Sequence, residues 1–319
     1  MITTFLIALA AGAASALMFA SLLTGALIAI PLFYFSPLPL MVAGLGWGPV
    51  VASIGGIAAA TGLGLLFGMS FLAVFVVTVA LPAWWLSQLA LRGRRIPGAA
   101  ADGKPAAPAI VEWYPVGRLL LWIAGFAALT TMGALLTLGL DSDAIYGAMR
   151  PMLVRIMQAS EVPATDRNVA ATLAIAPAAA ALVAILTLTL NLWVAGRITA
   201  TSGRLQRSWP DLNTTTLPPM TLVALSVAIA LTFQGGLIGI FSMIVSAVLL
   251  MAFALTGFAT LHTMTLGLKN RALWLGSAYG LVIFMVWPVF ALVVLGLADA
   301  FFGLRDRFAR RPPPPSPAA

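Results

Sequence analysis

The chain has no cysteine and a single histidine, His262. The first absence excludes disulfides, iron–sulfur clusters and thiolate zinc sites, and the second leaves no histidine pair to hold a metal. Charge is the larger deficit. Only 8% of the 319 residues are Asp, Glu, Lys or Arg, whereas 61% are hydrophobic. Soluble domains carry about 25% charge. Between Met1 and Leu91 there is no Asp, Glu, Lys, Arg or His; the first charge is Arg92. No soluble fold covers that much apolar surface with so few charges. With a mean hydropathy of +1.05, the chain reads as a polytopic membrane protein. A secretory signal needs a basic stretch before its apolar run, and none is present, so the first run is expected to be a retained helix.

The same deficit bears on chemistry. The centres of the apolar runs lack Asp, Glu, Lys and Arg. A proton-coupled carrier keeps a carboxylate in the membrane, and a hydrolase keeps a base beside its nucleophile. Neither is evident, so no enzyme activity and no cofactor is expected, and a proton-coupled permease ranks low. Backbone-bound sodium stays open. The net charge of +8 would suit a nucleic acid, but the basic residues lie in loops between apolar runs. That is the positive-inside pattern, and it makes the lipid bilayer the expected partner instead.

Apolar runs of about 20 residues are read as spans. Four fit into residues 1–91, at Thr3–Ser21, Leu23–Leu45, Trp47–Gly68 and Met69–Leu91. Residues 92–117 form a basic Ala/Pro/Gly-rich linker, expected to be flexible and cytoplasmic. Within it, Gly98–Lys104 matches the start of a phosphate-binding loop, but Pro105 follows where Ser or Thr should hold magnesium, so the match is chance. Residues 118–298 hold four or five further spans, at Arg118–Leu140, Val169–Ala195, Met220–Ile238, Phe241–Leu266 and Ala272–Ala298. Residues 141–168 are an outer loop. In it, Ile145, Met149, Met152 and Ile156 suggest either a short interfacial helix or a solvated loop. Residues 299–319 form a basic, proline-rich tail. Hydropathy counts nine spans. The tail's four arginines argue that it lies inside, which asks for eight spans or a re-entrant segment.

The stretch PLFYFSPLPLMVAGLGWGP breaks this pattern. Pro31, Pro37 and Pro39 each remove a backbone donor and disfavour helix before them. Unpaired backbone in hydrocarbon costs several kcal/mol per group. Ile30–Pro39 is therefore expected as a kinked or loop-like connection facing protein or a cavity, or else as a turn between two ordinary spans. Tyr34 and Ser36 are placed to satisfy some of the freed groups. Pro49 suits the first turn of the next helix. Asn191, Gln234 and His262 are further polar residues in or at spans; they bond across helices or line a solute cavity. Ala8, Gly12, Ala16 and Ala20 form a small-residue row for internal packing or for docking on another subunit. Asp299 and Arg305 are read as structural, pairing only if the chain bends at Gly303.

The stretch PLPLMVAGLGWGPVVASIGGIAAA resembles the turn between early helices in the S components of energy-coupling-factor vitamin transporters. More of the chain resembles the YybS-like family of bacterial membrane proteins. The matching features are Pro37–Gly48, Asn191–Ile198, Gln234–Met243 and the closing GLADAFFGLRDR, with Gly296, Asp299, Phe301, Phe302 and Arg305. The resemblance implies an all-α helical bundle of eight or nine spans in the bacterial inner membrane, with an S-component-like N-terminal half. It also implies binding of a small neutral or apolar solute with help from a membrane partner subunit. A scaffold for envelope proteins is the alternative.

Overall fold

The computed structural model describes residues 2–97 and 110–309. The loop-like match at Gly98–Lys104 and the tail from Arg310 onward lie outside the described residues. Among the described residues the fold is all-α apart from one short β-ribbon. Seven helical segments among the described residues are long and apolar enough to cross a membrane, so the chain is a multi-pass membrane protein in contact with lipid.

The first segment is α1 (Ile2–Ala20), extended by a 3-10 turn to Thr24. The second is broken into α2 (Ala29–Tyr34) and α3 (Leu38–Trp47). Then come α4 (Pro49–Phe67), and α5 (Met69–Phe75) joined to α6 (Leu81–Ala90) by a π-helical turn. Gly48 at φ +103° and Gly68 at φ +95° end α3 and α4 in backbone that side chains resist, and Pro49 opens α4 where its missing N–H costs nothing. The linker is not wholly irregular. Its ends pair as β1 (Gly93–Ile96) and β2 (Ile110–Trp113), antiparallel with Gly93 opposite Trp113.

The second half contains α7 (Val116–Leu136), α8 (Ser142–Ala159), α9 (Asp166–Thr201), α10 (Met220–Leu231) and α11 (Gly236–Met264). The 141–168 segment is thus mostly helix. Asp141 caps α8 by accepting from Ala144 N at 2.8 Å, and Thr165 caps α9 by accepting from Asn168 N. Ile145 and Met157 of α8 are buried, Met149 is partly so, and Met152 and Ile156 are exposed. At 36 residues, α9 is about 54 Å long. That exceeds a hydrocarbon core of about 30 Å, and α8 packs along the overhang through Met157, Val169 and Leu173.

Two expected spans are divided differently. Met220–Ile238 ends early, because Gly235 and Gly236 at φ +73° and +57° separate α10 from α11. Ala272–Ala298 is two helices, α12 (Arg271–Phe284) and α13 (Pro288–Phe302), broken at extended Met285. A short α14 (Leu304–Ala309) closes the described chain.

The core runs through both halves. Phe19 of α1 meets Phe71 and Phe75 edge-on, with ring centres 6.4 and 5.3 Å away. Helix α3 packs on α9, joining the first half to the second. Ala8 and Gly12 of α1 lie against Gly55 of α4, so closely that a methyl on Gly12 or Gly55 would collide with the opposite backbone. Ala8 is fully buried in a small cluster with Ala43 and Val51, and Ala16 and Ala20 are partly buried against the main core. The small-residue row therefore packs inside the chain. At Ala8 and Gly12 that face is occupied by α4, because only residues this small let two helices approach so far.

Candidate functional site

The broken segment is closed by its neighbours. Leu38 N donates to Phe35 O at 3.0 Å. In a continuous helix it would serve Tyr34 O, which is left free. Asn191 of α9 fills the gap, its Nδ2 donating to Tyr34 O at 2.9 Å. Ser15 of α1 does the same for the next residue but one, its Oγ donating to Ser36 O at 2.7 Å. Ser15, Ser36 and Asn191 are all buried. The irregular backbone is shorter than expected. Pro31 lies within α2 and Pro39 in the first turn of α3, leaving only Phe35–Pro37 between helices. Proline tolerates the first helical turn, which is why three prolines produce one short break. Tyr34 contributes its carbonyl here; its side chain is exposed. Asn191 Nδ2 also donates to Thr187 O at 2.8 Å, while its Oδ1 has no partner among the described residues. These contacts form a buried polar joint between α1, the α2–α3 break and α9.

The other polar candidates lie elsewhere. Gln234 ends the 3-10 turn after α10 and is exposed. His262 Nε2 lies 2.8 Å from the Tyr279 hydroxyl of α12, a hydrogen bond between helices. Among the described residues, no three His, Cys, Asp or Glu side chains are grouped to hold a metal. Tyr34, Ser36 and Asn191 meet; Gln234 and His262 do not join them.

A cavity forms where α10 hands over to α11 beside α8. Its volume is about 320 Å³, and it is open to the surface. Ser142, Asp143 and Tyr146 of α8 supply a hydroxyl, a carboxylate and a phenol. Thr232, Gly235 and Gly236 supply the turn, and Ala174, Ile240 and Met243 the apolar wall. The paired left-handed glycines let the chain turn back without side chains filling this space. Burial raises the pKa of the Tyr146 phenol, so it stays a neutral donor at physiological pH. One anionic group, neutral donors and an apolar wall suit a small molecule with a polar end and an apolar body. Sequence reading marked the apolar stripe of α8 but not the glycine pair, Asp143, Tyr146 or Thr232. Those residues come together only once α8 folds over the α10–α11 turn.

The opposite end of the bundle is basic and aromatic. The Arg197, Arg204 and Arg207 guanidinium carbons lie 5.1, 5.5 and 5.6 Å from the ring centres of Trp209, Trp47 and Trp113. Arg207 also donates to Ala90 O at 2.9 Å, capping the last turn of α6, and burial lowers its pKa. At the same end Gly303, at φ +60°, turns the chain so that Arg305 returns to Asp299. Arg305 Nε and Nη2 lie 2.8 and 2.6 Å from Asp299 Oδ2, and Arg305 N donates to Oδ1 at 2.9 Å. Arg305 Nη1 reaches Asn213 O at 2.7 Å. Both side chains are buried. Comparison with known families, curated proteins and solved structures finds no match for this chain.

Proposed function

We propose that this protein is a solute-binding subunit of the bacterial inner membrane, taking a small neutral or largely apolar molecule into the cavity between α8 and the α10–α11 turn. The cavity of about 320 Å³ carries the reading, because it combines a few polar groups with an apolar wall. The cavity faces away from the cytoplasm. Arg92, Arg94, Arg95, Arg204 and Arg207 gather at the opposite end, and basic loops stay inside. The number of crossings is eight or nine, and the N-terminal half is the part likened to S components. Any ATP-driven step belongs to a membrane partner subunit.

Native mass spectrometry of the detergent-purified protein tests this. A reproducible non-lipid adduct supports the reading. Adduct-free protein that instead captures envelope proteins replaces it with the scaffold.

A further inference from the structure

We infer that α12 and α13 form a re-entrant hairpin, which enters the membrane from the basic end, turns near mid-depth at Met285–Trp287 and returns to the same end. The inference is independent of the solute cavity. Length comes first. At 14 and 15 residues, the limbs measure about 21 and 22 Å. Each is too short to cross a core of about 30 Å upright.

Direction is read from the glycines. A methyl on Gly257 of α11 would strike Leu292 O, and one on Gly296 of α13 would strike Phe253 O. Each glycine meets the carbonyl four residues before its partner glycine. That reciprocity sets Gly257 facing Gly296 at the crossing of two close-packed helices, and the shared contact of Arg305 and Thr263 with Asn213 O puts both C-terminal ends together, so the helices run parallel. Helix α12 leaves the end of α11 at Arg271 and touches it again through Tyr279, beside residues earlier in α11, so it runs in the other sense. Tyr279 stacks on Phe258 with ring centres 5.0 Å apart and bonds to His262. The order is therefore α11 toward the basic end, α12 away from it and α13 back to it.

Depth follows from the same register. Pro288 lies eight residues before Gly296, which puts it level with Leu249, eight before Gly257. Helix α11 runs from Gly236 to Met264, so the turn sits beside its middle. The other end of α13 is anchored where this predicts. Arg305 reaches Asn213 O, and Thr263 Oγ1, at the end of α11, lies 3.4 Å from that carbonyl.

Broken backbone at such depth needs internal partners. Met285 N donates to Leu281 O, Val289 N to Val286 O and Phe290 N to Trp287 O. Pro288 and Leu292 are buried, while Phe284 and Val286 are 88% and 80% exposed, as side chains against lipid tails should be. The seven long segments make seven crossings. Met220–Gln234 is no longer than the two limbs, but it runs from the basic end, where Thr216 lies against Gly117, to the cavity at Gly235, so it makes the eighth. Arg271 and Arg305 share one side, so the hydropathy and charge counts agree.

The chain lacks cysteine, so single cysteines report directly. Asn270→Cys and Asp306→Cys, both exposed, bracket the hairpin without removing a positive charge. In sealed vesicles of known orientation, an impermeant maleimide should label both from the same side. Val286→Cys should resist labelling from either side, and a fluorophore placed there by a permeant maleimide should be quenched most by lipids brominated deep in their tails. Labelling of 270 and 306 from opposite sides would make the segment a ninth crossing and overturn the inference. So would ready aqueous labelling at 286.

Discussion

Replacing Asn191 by Leu removes the donor that closes the break between α2 and α3. Two effects compete. Tyr34 O, part-buried at this joint, is left without its partner, for which the general scale of about 1–3 kcal/mol for fully buried groups is an upper bound. Side-chain hydrogen bonds inside membranes average nearer 0.6 kcal/mol and reach about 1.7. Against this, Asn191 Oδ1 has no partner, so its removal relieves an existing penalty. The expected net loss is about 1 kcal/mol, or a few degrees in melting temperature. Asn191→Asp should be worse, because it replaces the donor by an acceptor facing Tyr34 O and buries a charge. Ser15→Ala removes the second donor, to Ser36 O, and should cost about as much as the Leu variant. These sites serve one break, so their combined effect should depart from additivity. The assay is thermal unfolding of the four variants in one detergent, followed by loss of the monomer peak. Asn191→Leu as stable as the parent, with Asn191→Asp no worse, would refute the argument that this side chain completes the backbone.

The remaining expectations are simpler. Gly12→Leu drives a side chain into the Gly55 backbone and should cost several kcal/mol by overpacking; a sharp, stable monomer peak on size exclusion would contradict the internal packing of α1 on α4. Asp299→Asn and Arg305→Ala each strand a buried partner, at about 3–5 kcal/mol. Their double variant should be better folded than the sum of the two predicts, and full additivity in a thermal cycle would remove the pairing. Asp166→Asn breaks the exposed bridge to Arg150 at 2.5 Å and should change stability by less than about 1 kcal/mol; a larger loss in the same melting assay would mean that α8 depends on it.

Some of this was legible in the sequence because the physics is local. Charge-free runs gave seven of the nine expected spans, and Pro49 falls in the first turn of a helix, where it opens α4. The proline stretch signalled broken backbone, but proline alone does not fix its extent. Pro31 and Pro39 fit helical first turns, and only the tertiary partners Ser15 and Asn191 show which carbonyls needed closing. The Asp299–Arg305 pairing could be stated only as a condition, because a six-residue separation spans a helix unfavourably until Gly303 turns. The row through Gly12 was readable as a close-packing face, but its occupant, Gly55, lies 43 positions away and no periodicity names it. Hydropathy merged α12 and α13, since Met285–Trp287 is as apolar as its flanks and the break is a backbone event. The cavity was hidden for a similar reason: Asp143 and Thr232 share no motif, and they meet only through the fold of α8.

The most direct test of the proposed function compares native mass spectra of the parent and of Met243→Trp, which fills the cavity while leaving its polar rim. Both proteins must elute as folded monomers with equal melting temperatures, or Ile240→Phe takes the place of the Trp variant. The account predicts a small-molecule adduct on the parent that is lost from the filled variant, with bound lipid unchanged. An adduct retained equally by both, or none on the parent, would contradict it.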